Sequence, residues 1–446
     1  MVTIICADKI VTGNANAEIL QNSAIVIKEN RIVNILPQNA ISSVEAGEIV
    51  RADGCIAIPG FIQTHVHLCQ TLFRGVADEL DLLDWLRLKI FPLEAAHNDR
   101  SMCLSAMVGI AELIKSGTTT ILDMGSIHYE EEVIRALGET GMRAFVGKAM
   151  MDVNDIYPKL KESTIESLRS TRELAERWHN SYGGRIKYAV APRFVLSCTD
   201  KLLREAYEMV NSTDGMVFHT HASENTREIE AVRQRCKMEN VEYLHHLGLL
   251  SDRSCIAHCV HVNEREINIL RTTKSNVAHC PSSNLKLGSG IANIPLLQRH
   301  GINVTLGADG APCNNNLSMF QEMRLASLLQ KSIHGPIAMS PRTVFEMATL
   351  GGARALGLEH DIGSIEVGKK ADIVLLNLEH IWNPLILDGN IYSTIVYSAG
   401  PENVDSVMID GRWVYRQGEY VCMDEEKIIR DGKRELKSLL ERAEFS

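Results

Sequence analysis

The sequence lacks the features that mark several large classes of protein. It contains no basic block and carries a formal net charge of −10, which argues against nucleic acid as a partner. No uninterrupted apolar run approaches the length of a membrane span, so we expect no membrane partner. The first residues are strand-like and lack the charged start and long apolar stretch of a secretory signal.

Cysteine is present without any sign of pairing. The 11 cysteines are scattered, odd in number and never spaced as Cys-x-x-Cys. This pattern is typical of reduced thiols and predicts a cytoplasmic location. We expect most of these thiols to be small apolar side chains in the core.

Three regions follow one another along the 446 residues. Residues 1–58 are strand-like pieces joined by turns. Residues 59–358 alternate short β-rich runs with stretches whose apolar residues recur at helix spacing, such as 101–115. Residues 359–446 return to strands and end in a helix over 424–444. Eight strand-like runs belong to the middle region: Ile56–Ile62, Thr118–Leu122, Ala144–Lys148, Ile186–Ala191, Met216–Thr220, Ser254–Ala257, Asn276–Ala278 and Asn303–Gly307.

Eight β/α units predict an α/β fold with a closed (β/α)8 TIM barrel over residues 59–358. Each flanking region is too small to build a good core by itself. We therefore expect residues 1–58 and 359–446 to pack together as one small β-sandwich domain that includes the terminal helix. Composition and fold are compatible with a homo-oligomer, which we expect.

Histidines collect at the predicted ends of the barrel strands, where active sites of such barrels lie. Because alternate side chains of a strand point the same way, His65 and His67 can bind one metal ion from one side. Candidates at the ends of later strands are His219, His221, His258, His279 and Asp309.

Imidazoles combined with one carboxylate suit Zn²⁺, with Fe²⁺ as the alternative. We predict that His65, His67, His221 and Asp309 are the ligands of one ion. Such an ion lowers the pKa of a bound water from 15.7 to about 7. The chain is thus expected to be a hydrolytic enzyme.

Roles for four side chains follow from their positions around the predicted ion. Asp309 can contact both ion and water and accept the water proton. Glu224, three residues past His221, is placed to protonate a ring nitrogen and pass that proton on, although it could also stabilise the N-terminus of the following helix. His258 either binds the metal or hydrogen-bonds the attacking oxygen. We expect His279 either to support the ligands from outside or to contact the substrate.

The motifs around these residues resemble the metal-dependent amidohydrolase superfamily, in its single-metal deaminase branch. The likeness covers nearly the whole chain, and the strand-four end has no lysine for a two-metal site. The resemblance implies replacement of an exocyclic amino group on a nitrogen heterocycle by oxygen, with release of ammonia. The matching motifs are Pro59-Gly60-Phe61-Ile62-x-x-His65-Val66-His67, His221-x-x-Glu224, Ala257-His258-Cys259, His279-Cys280-Pro281-Ser282-Ser283-Asn284 and Gly307-Ala308-Asp309-Gly310.

Within this branch, some stretches look like the deaminases of 5'-deoxyadenosine, methylthioadenosine and S-adenosylhomocysteine. These stretches are Leu72–Ala77 and the segment from Asn314 through Glu322 to Lys331. In such relatives a glutamate matching Glu94 binds the ribose hydroxyls, and Trp85 lines the pocket. The resemblance therefore implies an adenosine-type nucleoside as substrate.

Other stretches are similar to guanine deaminases, in which residues matching Gln70 and Arg193 hold the guanine ring. Homocysteine-nucleoside deaminases carry a histidine in place of Arg193 and a second basic residue that is not found here. This difference argues against a substrate with a long charged tail. Guanine deamination is thus one alternative, and hydrolysis of amino- or chloro-s-triazines, as in a third group of relatives, is another.

Two readings of a different class carry less weight. A non-catalytic scaffold of this shape would have lost metal ligands, whereas the full candidate set is present. An amide-bond hydrolase would need the missing lysine of a two-metal site. The expected partner is therefore a small aminopurine or related heterocycle in purine metabolism.

Overall fold

The computed structural model describes residues 2–383 and 391–444, which form two β-sheets with helices around them. None of the helices in these ranges is long and apolar enough to cross a membrane. In chain order the strands are β1 (Val2–Val11), β2 (Ile19–Lys28), β3 (Arg31–Pro37), β4 (Glu48–Pro59), β5 (Phe61–His67), β6 (Thr118–Met124), β7 (Arg143–Gly147), β8 (Ala149–Met150), β9 (Ile186–Pro192), β10 (Val217–Ala222), β11 (Ser254–His258), β12 (Asn276–His279), β13 (Val304–Leu306), β14 (Asp309–Gly310), β15 (Ile373–Asn377), β16 (Val404–Ile409), β17 (Arg412–Arg416) and β18 (Glu419–Tyr420).

The helices lie between the strands in sequence, and several of them pack against the barrel strands. They are α1 (Leu82–Trp85), α2 (Phe91–Ala95), α3 (Asp99–Lys115), α4 (Glu130–Thr140), α5 (Thr164–Trp178), α6 (Ser181–Gly184), α7 (Asp200–Ser212), α8 (Thr226–Cys236), α9 (Asn240–His246), α10 (Glu264–Thr273), α11 (Pro281–Lys286), α12 (Ile294–Arg299), α13 (Ala311–Asn314), α14 (Met319–His334), α15 (Pro341–Met347), α16 (Leu350–Ala355), α17 (Ile391–Tyr397) and α18 (Glu425–Arg442).

The predicted barrel is confirmed. Strands β5, β6, β7, β9, β10, β11, β12 and β13 pair in parallel in that order. After a two-residue break, β14 continues strand eight and pairs with β5, placing Asp309 opposite Val66. The sheet thereby returns to its first strand. Strands β5 and β6 are buried along their whole length, as expected for parallel strands covered on both faces.

Both chain ends contribute to the second sheet, as the predicted fold class requires. Strands β1–β4 and β15–β18 form one sheet of eight strands, in which β15 pairs antiparallel with β4. Helix α18 follows this sheet close to its predicted position. The predicted domain limits of 1–58 and 359–446 stay a prediction, and residues 1, 384–390 and 445–446 lie outside the described ranges.

The first barrel strand differs from the expected Ile56–Ile62. Residues 56–59 belong to β4 in the outer sheet, and the barrel begins at Phe61. A Cβ at Gly60 would lie 2.1 Å from Thr119 Oγ1, so the chain passes close to β6 at this point. The end of β4 and the whole of β5 are buried, so the apolar run continues from one strand into the next. The boundary between them therefore leaves no signal in the hydrophobic pattern.

An ion-pair network joins barrel and outer sheet. Arg143, at the start of β7, donates from Nε and Nη2 to the two carboxylate oxygens of Asp372, each at 3.0 Å. Its Nη2 also lies 3.3 Å from Asp410 Oδ1, and all three residues are buried. Burial would lower the pKa of Arg143, but the two carboxylates outweigh it and raise that pKa.

We expect Arg143→Ala to destabilise the protein by about 3–5 kcal/mol, because it leaves the buried carboxylate of Asp372 without its cation. The matched control is Arg169→Ala, which breaks an exposed pair with Glu166 and Glu173 and should change stability by roughly 0–1 kcal/mol. Denaturant unfolding followed by circular dichroism measures both. Equal effects of the two substitutions would contradict a structural role for the buried network.

Candidate metal centre and active site

Four side chains meet where β5 and β10 have their carboxyl ends and where the short strand β14 begins. They are His65, His67, His221 and Asp309, whose ligand atoms all lie within 4.8 Å of one another. The Nε2 atoms of His65 and His67 each lie 3.2 Å from Asp309 Oδ1, and those of His67 and His221 are 3.3 Å apart. The structure therefore brings together the four residues that the sequence predicted as ligands.

Backbone carbonyls determine which ring nitrogen of two histidines is free. The Nδ1 of His67 lies 2.7 Å from the carbonyl oxygen of Met124. The Nδ1 of His221 lies 2.7 Å from that of Arg193. Because a carbonyl oxygen only accepts, each Nδ1 carries the proton, and each neutral ring offers its Nε2 lone pair to the cluster.

His65 is oriented by another histidine. Its Nδ1 lies 2.7 Å from His219 Nε2, and His219 Nδ1 lies 2.8 Å from the carbonyl oxygen of Cys255. The carbonyl requires a proton on His219 Nδ1, so His219 Nε2 accepts from His65 Nδ1–H. The remaining nitrogen, His65 Nε2, is buried without a hydrogen-bond partner in the described ranges, as a metal ligand would be.

The electrostatics of the cluster favour a cation. Burial lowers the pKa of His65 to about 4, and it also lowers that of His221 well below its ordinary value. Burial acts against ionisation of Asp309, but His65 and His67 hold the pKa of this carboxyl well below its usual range. In return, Asp309 outweighs burial at His67 and raises its pKa. Neutral imidazoles around an ionised carboxylate are the donors that Zn²⁺ takes, so the residues present fit this ion.

The backbone at three strand ends adopts left-handed conformations. The φ angles are 55° at Ser223, 74° at His258 and 63° at Asp309. Left-handed backbone is uncommon for residues other than glycine and clusters at functional sites, where the surrounding structure enforces it.

The predicted proton-transfer residues lie beside the cluster. Glu224 Oε2 is 3.4 Å from His258 Nε2, and the other carboxylate oxygen has no hydrogen-bond partner in the described ranges. Burial, reinforced by Asp309, raises the pKa of Glu224 well above its usual range. This environment favours the protonated carboxyl, which is the form that a general acid needs.

His258 occupies a different side of Asp309 from the other histidines. Its Nε2 lies 3.8 Å from Asp309 Oδ2, whereas His65 and His67 contact Oδ1. Its Nδ1 lies 2.9 Å from Asn284 Oδ1, and Ser283 donates to Asp309 Oδ2 at 2.7 Å. This placement favours a role in orienting the reacting groups over one as a fifth ligand.

A cavity opens beside the cluster, with about 440 Å³ of empty space that includes open solvent at its mouth. Three of the five predicted substrate residues, Gln70, Trp85 and Arg193, contribute to its wall, whereas Glu94 and His279 do not. The complete lining is His67, Gln70, Leu82, Trp85, Leu86, Arg193, Phe194, His221, Glu224, Glu228, His258, Leu287 and Asp309.

Glu94 supports the wall from behind. Its carboxylate accepts from Arg193 at 2.7 and 3.0 Å and from Gln70 Nε2 at 2.8 Å. Because a carboxylate only accepts, Gln70 must direct its amide oxygen elsewhere, and that buried oxygen has no partner in the described ranges. The amide oxygen of Gln70 lies beside Gly310, and the Arg193 fork is held by Glu94.

His279 is buried, and neither of its ring nitrogens has a hydrogen-bond partner in the described ranges. Burial, with His258 adding to it, lowers its pKa to about 3. The ring is therefore neutral at the edge of the site.

Sequence reasoning assigned no role to His219, Glu228, Ser283 or Asn284. Glu228 follows Glu224 by one helical turn, lines the cavity and accepts from the Glu224 amide at 3.1 Å. Ser283 and Asn284 belong to the motif after strand seven. The motif itself could be seen in the sequence. The partners of its side chains, Asp309 and His258, could not, because they depend on how separate loops pack together.

Comparisons with known proteins agree with this architecture. The family model described as "Amidohydrolase family" matches residues 56–414. A 5'-deoxyadenosine deaminase of Methanothermobacter thermautotrophicus is 40% identical over 415 residues, covering 92% of this chain and 93% of that protein. These findings confirm the resemblance stated from the sequence.

Two solved structures share the fold over most of the chain. An adenosine deaminase from Xanthomonas campestris with bound zinc is 30% identical, with a TM-score of 0.91 and coverage of 98% of both chains. The guanine deaminase of E. coli is 28% identical, with a TM-score of 0.82 and coverage of 93% of this chain and 100% of that one.

We expect His219→Phe to weaken metal binding roughly 10–100-fold, because it removes the acceptor that orients His65. His219→Gln should recover part of the affinity, since its amide oxygen can accept the same hydrogen bond. Competition with a chromophoric chelator measures the affinity without reference to activity. If the phenylalanine variant binds the ion as tightly as the parent, His219 does not orient His65.

Proposed function

The chain belongs to the amidohydrolase family, and on that basis we propose that it is a zinc-dependent deaminase of an adenosine-type nucleoside such as 5'-deoxyadenosine or methylthioadenosine. Water replaces the exocyclic amino group of the purine, which leaves as ammonia. The reaction is hydrolysis of a C–N bond in a cyclic amidine. A cytoplasmic location, a role in purine metabolism and a homo-oligomeric state are parts of this proposal.

The observation that carries the proposal is the common wall shared by ligands and proton-transfer groups. His67, His221 and Asp309 line the same cavity as Glu224 and His258. A heterocycle in this cavity meets an acid and a metal-ligand cluster at one end. Hydrolysis of a ring amino group needs both, because a ring nitrogen must gain a proton as water adds to the neighbouring carbon.

One zinc ion would be held by His65, His67, His221 and Asp309, and Fe²⁺ is the alternative metal for the same donors. When bound, zinc supplies a water whose pKa falls from 15.7 to about 7. Burial favours the neutral rings of His65 and His221, which keeps their Nε2 lone pairs available for it.

The side chains then divide the proton transfers. Asp309, whose Oδ2 receives a hydrogen bond from Ser283, accepts the proton that the attacking water loses. Glu224 gives its proton to the ring nitrogen next to the carbon under attack. It then takes the proton of the hydroxyl that has added to this carbon and delivers it to the amino group. The C–N bond breaks as the carbonyl forms, ammonia leaves, and the proton held by Asp309 restores the acid form of Glu224. His258, whose ring stacks on that of His221 and whose Nε2 lies 3.8 Å from Asp309 Oδ2, holds the developing oxygen.

The cavity wall favours a nucleoside without a charged tail. Leu82, Leu86 and Leu287 make much of the lining apolar. Among the described residues that line the cavity, Arg193 is the only lysine or arginine, and its guanidinium is paired with Glu94. An amino-acid tail would find no free counter-charge there, whereas a 5'-methyl or methylthio group would lie against apolar side chains.

Guanine is the second candidate substrate. The placement of Gln70 and Arg193 on the wall is the specific observation that favours it, because matching residues hold the ring in the guanine deaminases that this chain resembles. The 28% identity to the E. coli enzyme over 93% of this chain is compatible with it.

Ammonia release from a panel of compounds tests the proposed function. The panel contains 5'-deoxyadenosine, methylthioadenosine, S-adenosylhomocysteine, guanine and an amino-s-triazine, each assayed with zinc-loaded protein. We expect the highest kcat/KM for the two uncharged nucleosides. A preference for guanine would select the second candidate, and no ammonia from any purine would overturn both.

Glu224→Gln should bind substrate with little change in affinity and lower kcat by roughly 10²–10⁴-fold, because the amide cannot donate and recover a proton. Equilibrium dialysis measures binding, and single-turnover absorbance measures the chemical step. Glu230→Gln, on the exposed face of α8, the helix that follows Glu224, is the matched control. A glutamine variant at position 224 with normal kcat would contradict the role of general acid.

Arg193→Ala should lower kcat/KM for guanine more than for 5'-deoxyadenosine if the arginine contacts a ring carbonyl. Both substrates are measured on one preparation, so any loss of folded protein cancels in the ratio. Glu94→Gln gives the converse test: it should affect the nucleoside more if the carboxylate binds ribose. Equal losses for both substrates in both variants would show that this pair only shapes the wall.

A further inference from the structure

Glu322 is a fully buried carboxylate in the first turns of α14, and it does not line the cavity. It has no lysine or arginine partner in the described ranges. Instead it accepts from Ser282 Oγ at 2.5 Å, from the Ser282 amide at 3.3 Å and from Asn314 Nδ2 at 2.8 Å. Burying a carboxylate without a cation is costly unless hydrogen bonds compensate. These three hydrogen bonds compensate for the burial of Glu322.

The first contact leads to the loop after strand seven. Ser282 lies in α11 and is followed by Ser283, which donates to Asp309 Oδ2 at 2.7 Å. The next residue, Asn284, accepts from His258 Nδ1 at 2.9 Å. Three consecutive side chains thus connect Glu322, Asp309 and His258.

The other contact leads to the loop after strand eight. Asn314 Nδ2 also donates to the carbonyl oxygen of Ala308 at 2.8 Å. This carbonyl belongs to the peptide that precedes Asp309, whose φ of 63° is left-handed. Asn314 therefore holds the backbone at the point where the ligand carboxylate leaves the barrel.

We infer that Glu322 is a positioning residue that ties the loops after strands seven and eight to each other and so holds Asp309 and Ser283 in register. The inference rests on the proposed function only in taking Asp309 as a metal ligand. It also gives a role to the segment from Asn314 to Glu322, which the proposed chemistry leaves unused.

The test compares Glu322→Gln and Glu322→Ala for the rate of metal transfer to a chelator and for kcat. The amide oxygen of glutamine can still accept from Ser282 Oγ and Asn314, so this variant should stay within a few-fold of the parent. The alanine variant should lose metal roughly 10–100-fold faster, as is typical when support of a ligand is removed. Its kcat should fall while KM changes little.

The matched control is Glu435→Ala, which removes a buried carboxylate of α18 that pairs with Arg442 and Arg100. We expect it to lower the melting temperature without changing the rate of metal loss. If Glu322→Ala and Glu435→Ala change metal loss alike, Glu322 is only structural and the inference is wrong.

A double substitution keeps the inference testable if the alanine variant does not fold. Ser282→Ala and Asn314→Ala, which each remove a hydrogen bond to Glu322, should be non-additive in metal affinity, since both act on Asp309 through the same carboxylate. Additive effects would overturn the inference. If the parent itself binds no metal, the proposed function fails instead, so the two failures are distinguishable.

Discussion

The convergence of three imidazole lone pairs and one carboxylate is the constraint on which the rest of the site depends. Four polar side chains buried at one point are unfavourable unless something satisfies them. Here the protein hydrogen-bonds one nitrogen of each ligand histidine from outside the cluster, and the other nitrogen of each ring faces the cluster. The carbonyls of Met124 and Arg193, together with His219, determine which nitrogen that is. The barrel thus provides the direction of each lone pair as well as its position.

A second tier of buried carboxyls holds this arrangement together. Glu94 orients Gln70 and Arg193, and Glu228 accepts from the amide of Glu224. Glu322 contacts the loops that carry Ser283 and Asp309. Apart from the ion pair of Glu94 with Arg193, these carboxyls are satisfied by neutral donors in the described structure. Their hydrogen bonds hold neighbouring loops and side chains in fixed relative positions. Hydrophobic packing, which is not directional, would not specify those positions by itself.

Much of this could be predicted from the sequence because the relevant patterns are local. The pair His65 and His67 has the period of a strand, and parallel strands place their carboxyl ends on one rim. That geometry was enough to nominate His221 and Asp309 from positions far along the chain. The spacing of Glu224 from His221 likewise places it just beyond the strand end.

The remainder depends on contacts between segments that are distant in sequence. Whether His219 supports His65 depends on the register across the barrel, and whether Glu94 faces the cavity or Arg193 depends on how α2 meets β9. The boundary at Gly60 was hidden because β4 and β5 are both buried and share one apolar run. Each of these outcomes is decided by tertiary packing, which single-sequence periodicity does not contain.

Anomalous diffraction from crystals of the enzyme purified with its own metal tests the central claim most directly. The account predicts one peak, about 2.0–2.2 Å from the Nε2 atoms of His65, His67 and His221 and from a carboxylate oxygen of Asp309. A peak elsewhere, two peaks at the strand ends, or four side chains that share no peak at full metal loading would contradict it.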